Sequence, residues 1–278
     1  MSNERELALV TGASSGVGVE FARLLAARNC DLILTARRED RLAEVKNELS
    51  AQYSVNITNV IQDLGDVNGA QQLIEHLEGE GLAPSILINN AGYGLHKPLV
   101  DEDPQAIRTN IETNVMTVVR LAQFCAQKMV QQKHGYILNM ASFIALQPVP
   151  DLAVYAGTKA FVLNFSRALR EEVKGAGVRV SAICPGFFQS EFFERADWEP
   201  PFLTRLFTMK VGTVAKAGIR GMFRGKAKIV PGWQYKTLAL LSPFSPSWLN
   251  MLIGKDISGY EAEKKAEADS SAGSSRDA

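Results

Sequence analysis

The feature that most constrains the fold is a regular alternation of short apolar runs with helical apolar stripes. The strand-like runs lie at residues 7–10, 32–35, 55–61, 86–88, 136–139 and 178–183, with a further candidate at 228–230. They show little polar alternation, as expected of parallel strands covered on both faces. Between them, residues such as Leu42, Val45 and Leu49 recur at helical spacing. The alternation predicts an α/β fold of the Rossmann type, with a doubly wound parallel sheet.

Composition and charge exclude several classes of protein. The 278 residues include 30 basic and 30 acidic side chains, so no net field favours nucleic acid as a partner. Cys30, Cys125 and Cys184 form no CxxC pair, which fits a reducing compartment and predicts a cytoplasmic location. The three histidines are scattered, so no metal site is expected. We find no signal-like N-terminal run and no stretch long enough to span a membrane.

The chain is predicted to form a single domain with a polar end. No break in composition divides residues 7–258, so we expect one domain over residues 1–258. Residues 259–278 are polar, charged and rich in serine, and we expect them to be disordered.

A glycine-rich turn follows the first strand. Gly12, Gly16 and Gly18 lie between that strand and the first helix. Glycines let the backbone approach a pyrophosphate, and the N–H groups at the start of the helix attract the anion. The spacing differs from the GxGxxG of the usual dinucleotide fingerprint, and the alternative interpretation is a tight strand-to-helix turn. Its position after the first strand of a βα series favours cofactor binding.

The end of the second strand indicates which nicotinamide cofactor is preferred. An acidic residue there would bind the ribose 2′-hydroxyl of NAD. This chain instead has Arg37 and Arg38. Guanidinium groups clamp a phosphate through paired hydrogen bonds, so we predict NADP(H), held by Arg37 with Arg38 assisting. The alternative is that both arginines are solvated residues at a strand end.

A tyrosine and a lysine one helical turn apart are candidates for proton transfer. Tyr155 and Lys159 lie on one face of a predicted helix, and a neighbouring ammonium is expected to lower the pKa of the phenol. The same spacing also occurs at Tyr93/Lys97 and Tyr260/Lys264. Only the middle pair lies on an apolar-striped helix between two core strands.

Several motifs together resemble one family. The segment Thr11-Gly12-Ala13-Ser14-Ser15-Gly16-Val17-Gly18 resembles the TGxxxGxG motif of the short-chain dehydrogenase/reductase family. Asn89-Asn90-Ala91-Gly92 resembles its NNAG motif, and Pro185-Gly186 resembles its PG motif. Ser142, thirteen residues before Tyr155, has the family spacing between serine and tyrosine. The resemblance runs from about residue 7 to about residue 190.

The resemblance implies a set of cofactor-binding residues. They are Gly12, Ser14, Ser15, Gly16, Val17, Gly18, Arg37, Arg38, Asp63, Leu64, Asn90, Ala91, Gly92, Tyr155, Lys159, Pro185, Gly186, Phe188 and Ser190. Asp63 matches the position that holds the adenine amino group, and Leu64 would pack on the ring. Ser190 matches the position that bonds the nicotinamide carboxamide, where the family more often has threonine.

The resemblance also implies four catalytic residues. Ser142 would bond the substrate carbonyl oxygen, although a lone serine after a strand is more often a cap or turn residue. Tyr155 would transfer the proton, and Lys159 would hold the nicotinamide ribose. Asn114 matches the asparagine that supports a water-mediated proton relay to Lys159, with Asn110 as the competing candidate.

The predicted activity is hydride transfer between NADP(H) and a carbonyl or alcohol. The family places a substrate lid after the Pro-Gly turn, here at about residues 187–225, which is rich in phenylalanine. This favours an apolar, acyl or lipid-like substrate, with packing onto the core or a neighbouring subunit as an equal alternative. An NADPH-binding regulatory protein without turnover is the alternative from another class. A dehydratase or epimerase on the same scaffold is disfavoured by the glycine spacing.

The sequence also bears on subunit assembly and on contact with a membrane. The resemblance implies a homodimer or homotetramer formed through the helices that carry Asn114 and Tyr155. Residues 226–255 combine basic side chains with tryptophan, tyrosine and leucine. We expect this region to close over the active site or to contact a second subunit. Peripheral membrane contact is disfavoured because prolines interrupt any long amphipathic helix.

Overall fold

A computed structural model describes residues 5–188, 208–242 and 245–258. In these ranges the chain forms a seven-stranded parallel sheet of order β3-β2-β1-β4-β5-β6-β7. The strands are β1 (Leu7–Thr11), β2 (Asp31–Ala36), β3 (Ile57–Ile61), β4 (Ile86–Asn89), β5 (Gly135–Met140), β6 (Val178–Ile183) and β7 (Lys228–Ile229). The predicted Rossmann-type fold is therefore confirmed.

Helices connect the strands and cover both faces of the sheet. They are α1 (Gly16–Ala26), α2 (Glu39–Gln52), α3 (Gly69–Gly79), α4 (Pro104–Ile111), α5 (Thr117–Gln132), α6 (Ala153–Val173), α7 (Val211–Phe223), α8 (Trp233–Leu241) and α9 (Ser247–Ser258). A π-helical turn, Glu112–Met116, joins α4 to α5. Within the described ranges, no helix has both the length and the apolar character that a bilayer crossing requires.

The core has two halves because successive strand residues point to opposite faces. On one face, Ala8 and Val10 of β1 belong to a cluster with Phe21 of α1. On the other face, Leu9 belongs to a cluster with Leu121 of α5. Every one of these side chains is fully buried, which explains why the strands are continuous apolar runs.

The strand order reverses direction at β1. This strand pairs with β2 on one side and with β4 on the other. Loops leaving the carboxyl ends of β1 and β4 therefore diverge and leave a crevice between them, where ligands bind in open α/β sheets. The Gly12 turn follows β1 and the Asn90 loop follows β4, so the fold brings these two predicted motifs to the same crevice.

The second half of the expected lid segment belongs to the core layer. Helix α7 buries Val214, Ala215, Ile219 and Met222 against the sheet and α1. These residues recur at helical spacing, so α7 covers the sheet as the other helices do. Residues 187, 188 and 208–210 are the described remainder of the expected lid, and residues 189–207 lie outside the described ranges, as does the predicted polar tail at 259–278.

Candidate active site

A cleft of about 530 Å³ opens at the carboxyl edge of the sheet. Most of the predicted site residues line it. They are Gly12, Ser14, Ser15, Gly16, Val17, Arg37, Arg38, Asp63, Leu64, Asn90, Ala91, Gly92, Ser142, Tyr155, Lys159, Pro185 and Phe188. The cleft therefore connects the glycine turn, the two arginines and the serine–tyrosine–lysine group in one continuous space.

The glycine turn has the backbone conformation that glycine permits. Gly12 and Gly16 have φ values of +64° and +53°. A Cβ on Gly18 would overlap the carbonyl oxygen of Gly12, so Gly18 allows α1 to pack closely against the turn and does not line the cleft. The first turn of α1 carries no acidic residue, which leaves its N-terminus favourable for an anion.

Hydrogen bonds join the glycine turn to the loop after β4. The Thr11 hydroxyl accepts from the backbone N–H groups of Asn90 and Ala91, each at 2.9 Å. The Asn90 side chain donates to the Thr11 carbonyl oxygen at 2.9 Å. These bonds fix the two walls of the cleft relative to each other. Sequence reasoning quoted Thr11 as part of a motif but gave it no role, because its partners lie about 80 residues away.

The two arginines occupy different positions at the cleft. Arg37 Nη1 lies 3.7 Å from a carboxylate oxygen of Asp63, and both side chains are more than half exposed. Arg38 Nη2 donates to the Ser14 hydroxyl at 3.4 Å, next to the glycine turn. Both guanidinium groups thus line the cleft beside the glycine turn, and that of Arg37 also lies near the Asp63 carboxylate.

Ser142 and Tyr155 form a hydrogen-bonded pair at the far end of the cleft. Ser142 begins the short 3₁₀ helix Phe143–Leu146, and its hydroxyl accepts from the backbone N–H of Ile144 at 3.3 Å. The capping role is thus present beside the predicted catalytic one. A hydrogen bond from Ser142 favours the phenolate of Tyr155, but burial is the larger influence and raises the pKa of Tyr155 above its usual range.

Lys159 is buried below Tyr155. Its Nζ donates to the Met140 carbonyl oxygen at 2.9 Å and lies 5.7 Å from the centroid of the Tyr155 ring. Burial lowers the pKa of Lys159 from 10.5 to about 8. The expectation that the ammonium lowers the pKa of the phenol is therefore wrong for the protein alone, because desolvation by burial is the largest cause and raises the pKa of Tyr155.

Asn114 lies in the π-helical turn and is fully buried behind the cleft rather than lining it. Its amide nitrogen donates to the Tyr93 carbonyl oxygen at 3.0 Å and to the Thr158 hydroxyl at 3.2 Å. Its amide oxygen accepts from the Tyr93 backbone N–H at 3.2 Å. Asn114 therefore links the loop after β4 to α6, the helix that carries Tyr155 and Lys159.

Gly92 leaves a gap between Asn114 and Lys159. A Cβ at this position would lie 2.7 Å from the Asn114 amide oxygen and 3.2 Å from Lys159 Nζ. The absence of a side chain keeps these two polar groups facing one space. Asn110, the competing candidate, is also buried, and its amide nitrogen donates to the Tyr93 carbonyl oxygen at 2.9 Å. Both asparagines therefore hold the same loop.

The residues present fit a dinucleotide. A cradle of glycines lies at a helix N-terminus, cationic side chains stand beside it, and the cleft reaches from there to buried proton-transfer groups. Its volume lies in the range typical of cofactor sites. Among the described residues, no cluster of histidine, cysteine or acidic side chains suits a metal ion.

Comparison with known proteins decides the family. Residues 6–199 match the short chain dehydrogenase family. The chain belongs to the short-chain dehydrogenase/reductase family. Members of this family are oxidoreductases that bind a nicotinamide cofactor and act on small molecules.

Individual relatives cover most of the chain. The very-long-chain 3-oxoacyl-CoA reductase of Bos taurus is 28% identical over 249 residues, which span 85% of this chain and 79% of the relative. Sulfoacetaldehyde reductase 2 of Chromohalobacter salexigens is 35% identical over 189 residues, spanning 67% and 74% of the two chains. The structure of a short-chain dehydrogenase from Sphingobium yanoikuyae in complex with NADPH has a TM-score of 0.78 and 29% identity, covering 86% of this chain and 94% of that chain.

Three described residues that were predicted for the site of this short-chain dehydrogenase do not line the cleft: Gly18 and Asn114, as given above, and Gly186. A Cβ on Gly186 would overlap the ring of Tyr235, so this glycine allows close packing of α8. Ser190 falls outside the described ranges. Phe188 lines the cleft and forms a β-bridge with Met209, which attaches the chain after the Pro-Gly turn to the start of α7.

Sequence reasoning missed several residues that line the cleft of this short-chain dehydrogenase. They are Ala36, Gln62, Gly65, Tyr93, Thr109, Thr113, Met140 and Ala141. Most are neighbours of predicted residues at strand ends, so the carboxyl-edge rule would have found them. Thr109 and Thr113 come from α4 and the π-helical turn, and no local signal marks them.

Proposed function

We propose that the protein transfers a hydride between NADP(H) and the carbonyl or alcohol group of an apolar, acyl or lipid-like substrate. The observation that carries this proposal is the continuity of the cleft. Arg37 and Arg38 stand at one end, and the Ser142–Tyr155 pair stands at the other, above Lys159. A dinucleotide bound along this cleft would place its nicotinamide beside Ser142 and Tyr155. Among the described lining residues, these two hydroxyl groups form the only pair next to a buried ammonium, that of Lys159.

The two arginines support a preference for the 2′-phosphate. Arg38 already reaches Ser14, and a phosphate beside the turn would compete with Asp63 for the exposed Arg37. Because charge-assisted hydrogen bonds to phosphate are strong, the preference is expected to survive this competition. The relative in complex with NADPH supports the same choice.

Measuring kcat/KM with NADPH and with NADH tests this preference. We expect Arg37→Ala and Arg38→Ala each to lower the value for NADPH by about 10- to 100-fold and to leave the value for NADH within about twofold. Arg41→Ala is the matched control, because Arg41 lies in α2 and pairs with Glu44 on the surface. Equal efficiencies with both cofactors in the unmodified enzyme would remove the assignment.

Ser142 and Tyr155, at the substrate end of the cleft, have separate roles in the proposed reaction. NADPH, when bound, supplies the hydride. The Ser142 hydroxyl donates a hydrogen bond to the substrate oxygen and orients the carbonyl. Tyr155 donates the proton that the oxygen needs as negative charge develops on it, and the same groups stabilise that charge. In the alcohol direction, Tyr155 accepts the proton.

Lys159 completes the arrangement from below. Its charged form attracts the phenolate that remains after proton transfer, and its Nζ would hold the ribose hydroxyls of the bound cofactor. Burial already brings the pKa of Lys159 to about 8, so this ammonium exchanges a proton near neutral pH. The gap above Gly92 connects it to the Asn114 amide oxygen, which supports the proposed relay.

Apolar side chains support the proposed substrate class. Met140, Ala141 and Phe188 line the cleft together with Ser142 and Tyr155. Such a wall favours an aliphatic chain next to the reacting carbonyl. A relative named very-long-chain 3-oxoacyl-CoA reductase is consistent with this class. A panel of ketones of increasing chain length, monitored by NADPH consumption, is expected to give kcat/KM values that rise with chain length.

Other outcomes of this panel discriminate between functions. Preference for short, anionic aldehydes would favour a substrate like that named for the relative from Chromohalobacter salexigens. NADPH binding without turnover on any substrate would favour the regulatory alternative.

Location and assembly are proposed on separate grounds. Cys30, Cys125 and Cys184 are free and buried, which supports a cytoplasmic location. Family members commonly form oligomers, and Ile111, Met116 and Phe161 are partly exposed on the segments around α4–α6. We propose a homodimer or homotetramer formed through these helices.

A further inference from the structure

Helices α8 and α9 pack on the substrate end of the cleft. The Tyr235 hydroxyl accepts from the Phe187 backbone N–H at 3.2 Å. A Cβ on Gly254 would overlap the Pro148 carbonyl oxygen, so α9 lies directly on the segment between the catalytic serine and tyrosine. The inner faces of both helices therefore contact protein beside the cleft, although neither helix contributes a residue to its described lining.

The outer faces of the same helices are also apolar. Trp233 and Leu240 in α8 are 79% and 70% exposed, and Trp248 in α9 is 68% exposed. We define the outer apolar face as Trp233, Leu240, Leu241, Trp248, Met251 and Leu252. The members from each helix lie at helical spacing on one side. Large apolar side chains exposed together on one surface mark a site of contact with an apolar partner.

Positive charge accompanies the outer apolar face. Lys236 is exposed and lies one turn from Trp233 and from Leu240, and Lys255 lies one turn after Leu252. The charged residues of α8 and α9 are Lys236, Lys255 and Asp256, and Lys236 is exposed within the outer apolar face. This excess of positive charge makes an anionic surface the complementary partner.

A second copy of the chain is a poorer cover. A twofold contact through this face would bring its lysines towards those of the partner, which costs free energy. Tryptophan and leucine flanked by lysine are instead the composition of helices that lie in a bilayer interface.

The sequence alone disfavours membrane contact because prolines interrupt any long amphipathic helix, but the structure exposes apolar side chains on two separate short helices, α8 and α9. We propose that the outer apolar face docks on the surface of an anionic lipid bilayer. The indole and leucine side chains enter the headgroup boundary, and Lys236 and Lys255 meet lipid phosphates. Docking would then bring the chain around Phe187 and Pro148, which α8 and α9 contact beside the cleft, close to the membrane. The proposal concerns binding alone and stands independently of the cofactor and the reaction.

Co-sedimentation of the full chain with vesicles tests the proposal. The probes are vesicles of phosphatidylcholine alone and vesicles with about one third phosphatidylglycerol. We expect binding to the anionic vesicles that weakens in high salt. Trp233→Ser/Trp248→Ser is expected to lower this partition at least about tenfold, and Lys236→Glu is expected to lower it for anionic vesicles only. Val67→Ser/Val130→Ser is the matched control, because both residues are exposed and lie beside α3 and in α5, away from the loop that contacts α9 through His96.

Three results would overturn the proposal. The unmodified protein fails to bind anionic vesicles, it binds both kinds of vesicle equally, or the tryptophan variant binds as the unmodified protein does. A tryptophan variant that changes native mass instead of vesicle binding would assign the face to a second copy. If the tryptophan variant does not fold, the comparison of the two vesicle types with the unmodified protein still decides.

Discussion

At the scale of single residues, burial determines the proton affinities of the proposed catalytic groups. Tyr155 and Lys159 are both buried, and burial raises the pKa of the phenol while it lowers the pKa of the ammonium. Sequence reasoning identified both residues from their spacing, but it could not estimate desolvation, which depends on β5 and the chain around them. The directions of these shifts therefore emerged only from the folded structure.

The buried charge of Lys159 should cost stability. Its pKa of about 8 in the folded protein lies below the value of 10.5 for an exposed lysine, so below pH 8 the folded state carries the full penalty. Lys159→Met is expected to raise the free energy of unfolding at pH 7 by at most about 3 kcal/mol. Above pH 8 the lysine of the folded protein is neutral, while the lysine of the unfolded chain keeps its proton up to about pH 10.5. The gain in the free energy of unfolding should therefore shrink between pH 8 and 10.5. Urea unfolding of both proteins at pH 7 and pH 10 measures this change in the free energy of unfolding. A gain that does not depend on pH would contradict the account.

Gly92 provides a second test at this scale. Gly92→Ala places a methyl group between the Asn114 amide oxygen and Lys159 Nζ. We expect kcat for ketone reduction to fall at least about tenfold, because the Asn114 amide and the Lys159 ammonium cannot both move away from the methyl group in a close-packed interior. Gly157→Ala is the control, since nothing lies within 4 Å of its Cβ position in α6. Unchanged kcat in Gly92→Ala would show that the gap has no role.

At the scale of elements, the π-helical turn brings two asparagines to one loop. The helical segment from α4 to α5 contains the π-helical turn Glu112–Met116. Asn110 and Asn114 both donate to the Tyr93 carbonyl oxygen from its two sides. Four-residue spacing alone could not show this shared contact, because it depends on the loop after β4.

Removing one of these amides should loosen the loop. Asn110→Ala eliminates the hydrogen bond to Tyr93 and the one from Asn114. We expect the free energy of unfolding to fall by about 1–3 kcal/mol, because the remaining buried polar groups lose a partner. Chemical denaturation measures this, with the exposed Asn164→Ala in α6 as a control near zero. Equal stability of both variants would contradict the proposed clamp.

At the scale of the whole molecule, the sheet and its carboxyl-edge cleft could be predicted and the C-terminal third could not. Strand runs and the Gly12 turn follow from local periodicity and backbone geometry, and the fold brings their loops together by the parallel topology. The role of α7 as a core layer and the exposed outer face of α8 depend on which side of each helix meets protein. Helices with apolar residues on most sides give no such indication from sequence alone.

The central claim is that one cleft joins a nicotinamide cofactor to proton transfer by Tyr155. Its most direct test is a comparison of Tyr155→Phe with the unmodified enzyme, measuring NADPH affinity by fluorescence titration and kcat on the best ketone of the panel. The account predicts nearly unchanged NADPH affinity and a kcat at least about 100-fold lower, since the phenol only transfers the proton. A kcat equal to that of the unmodified enzyme would contradict it.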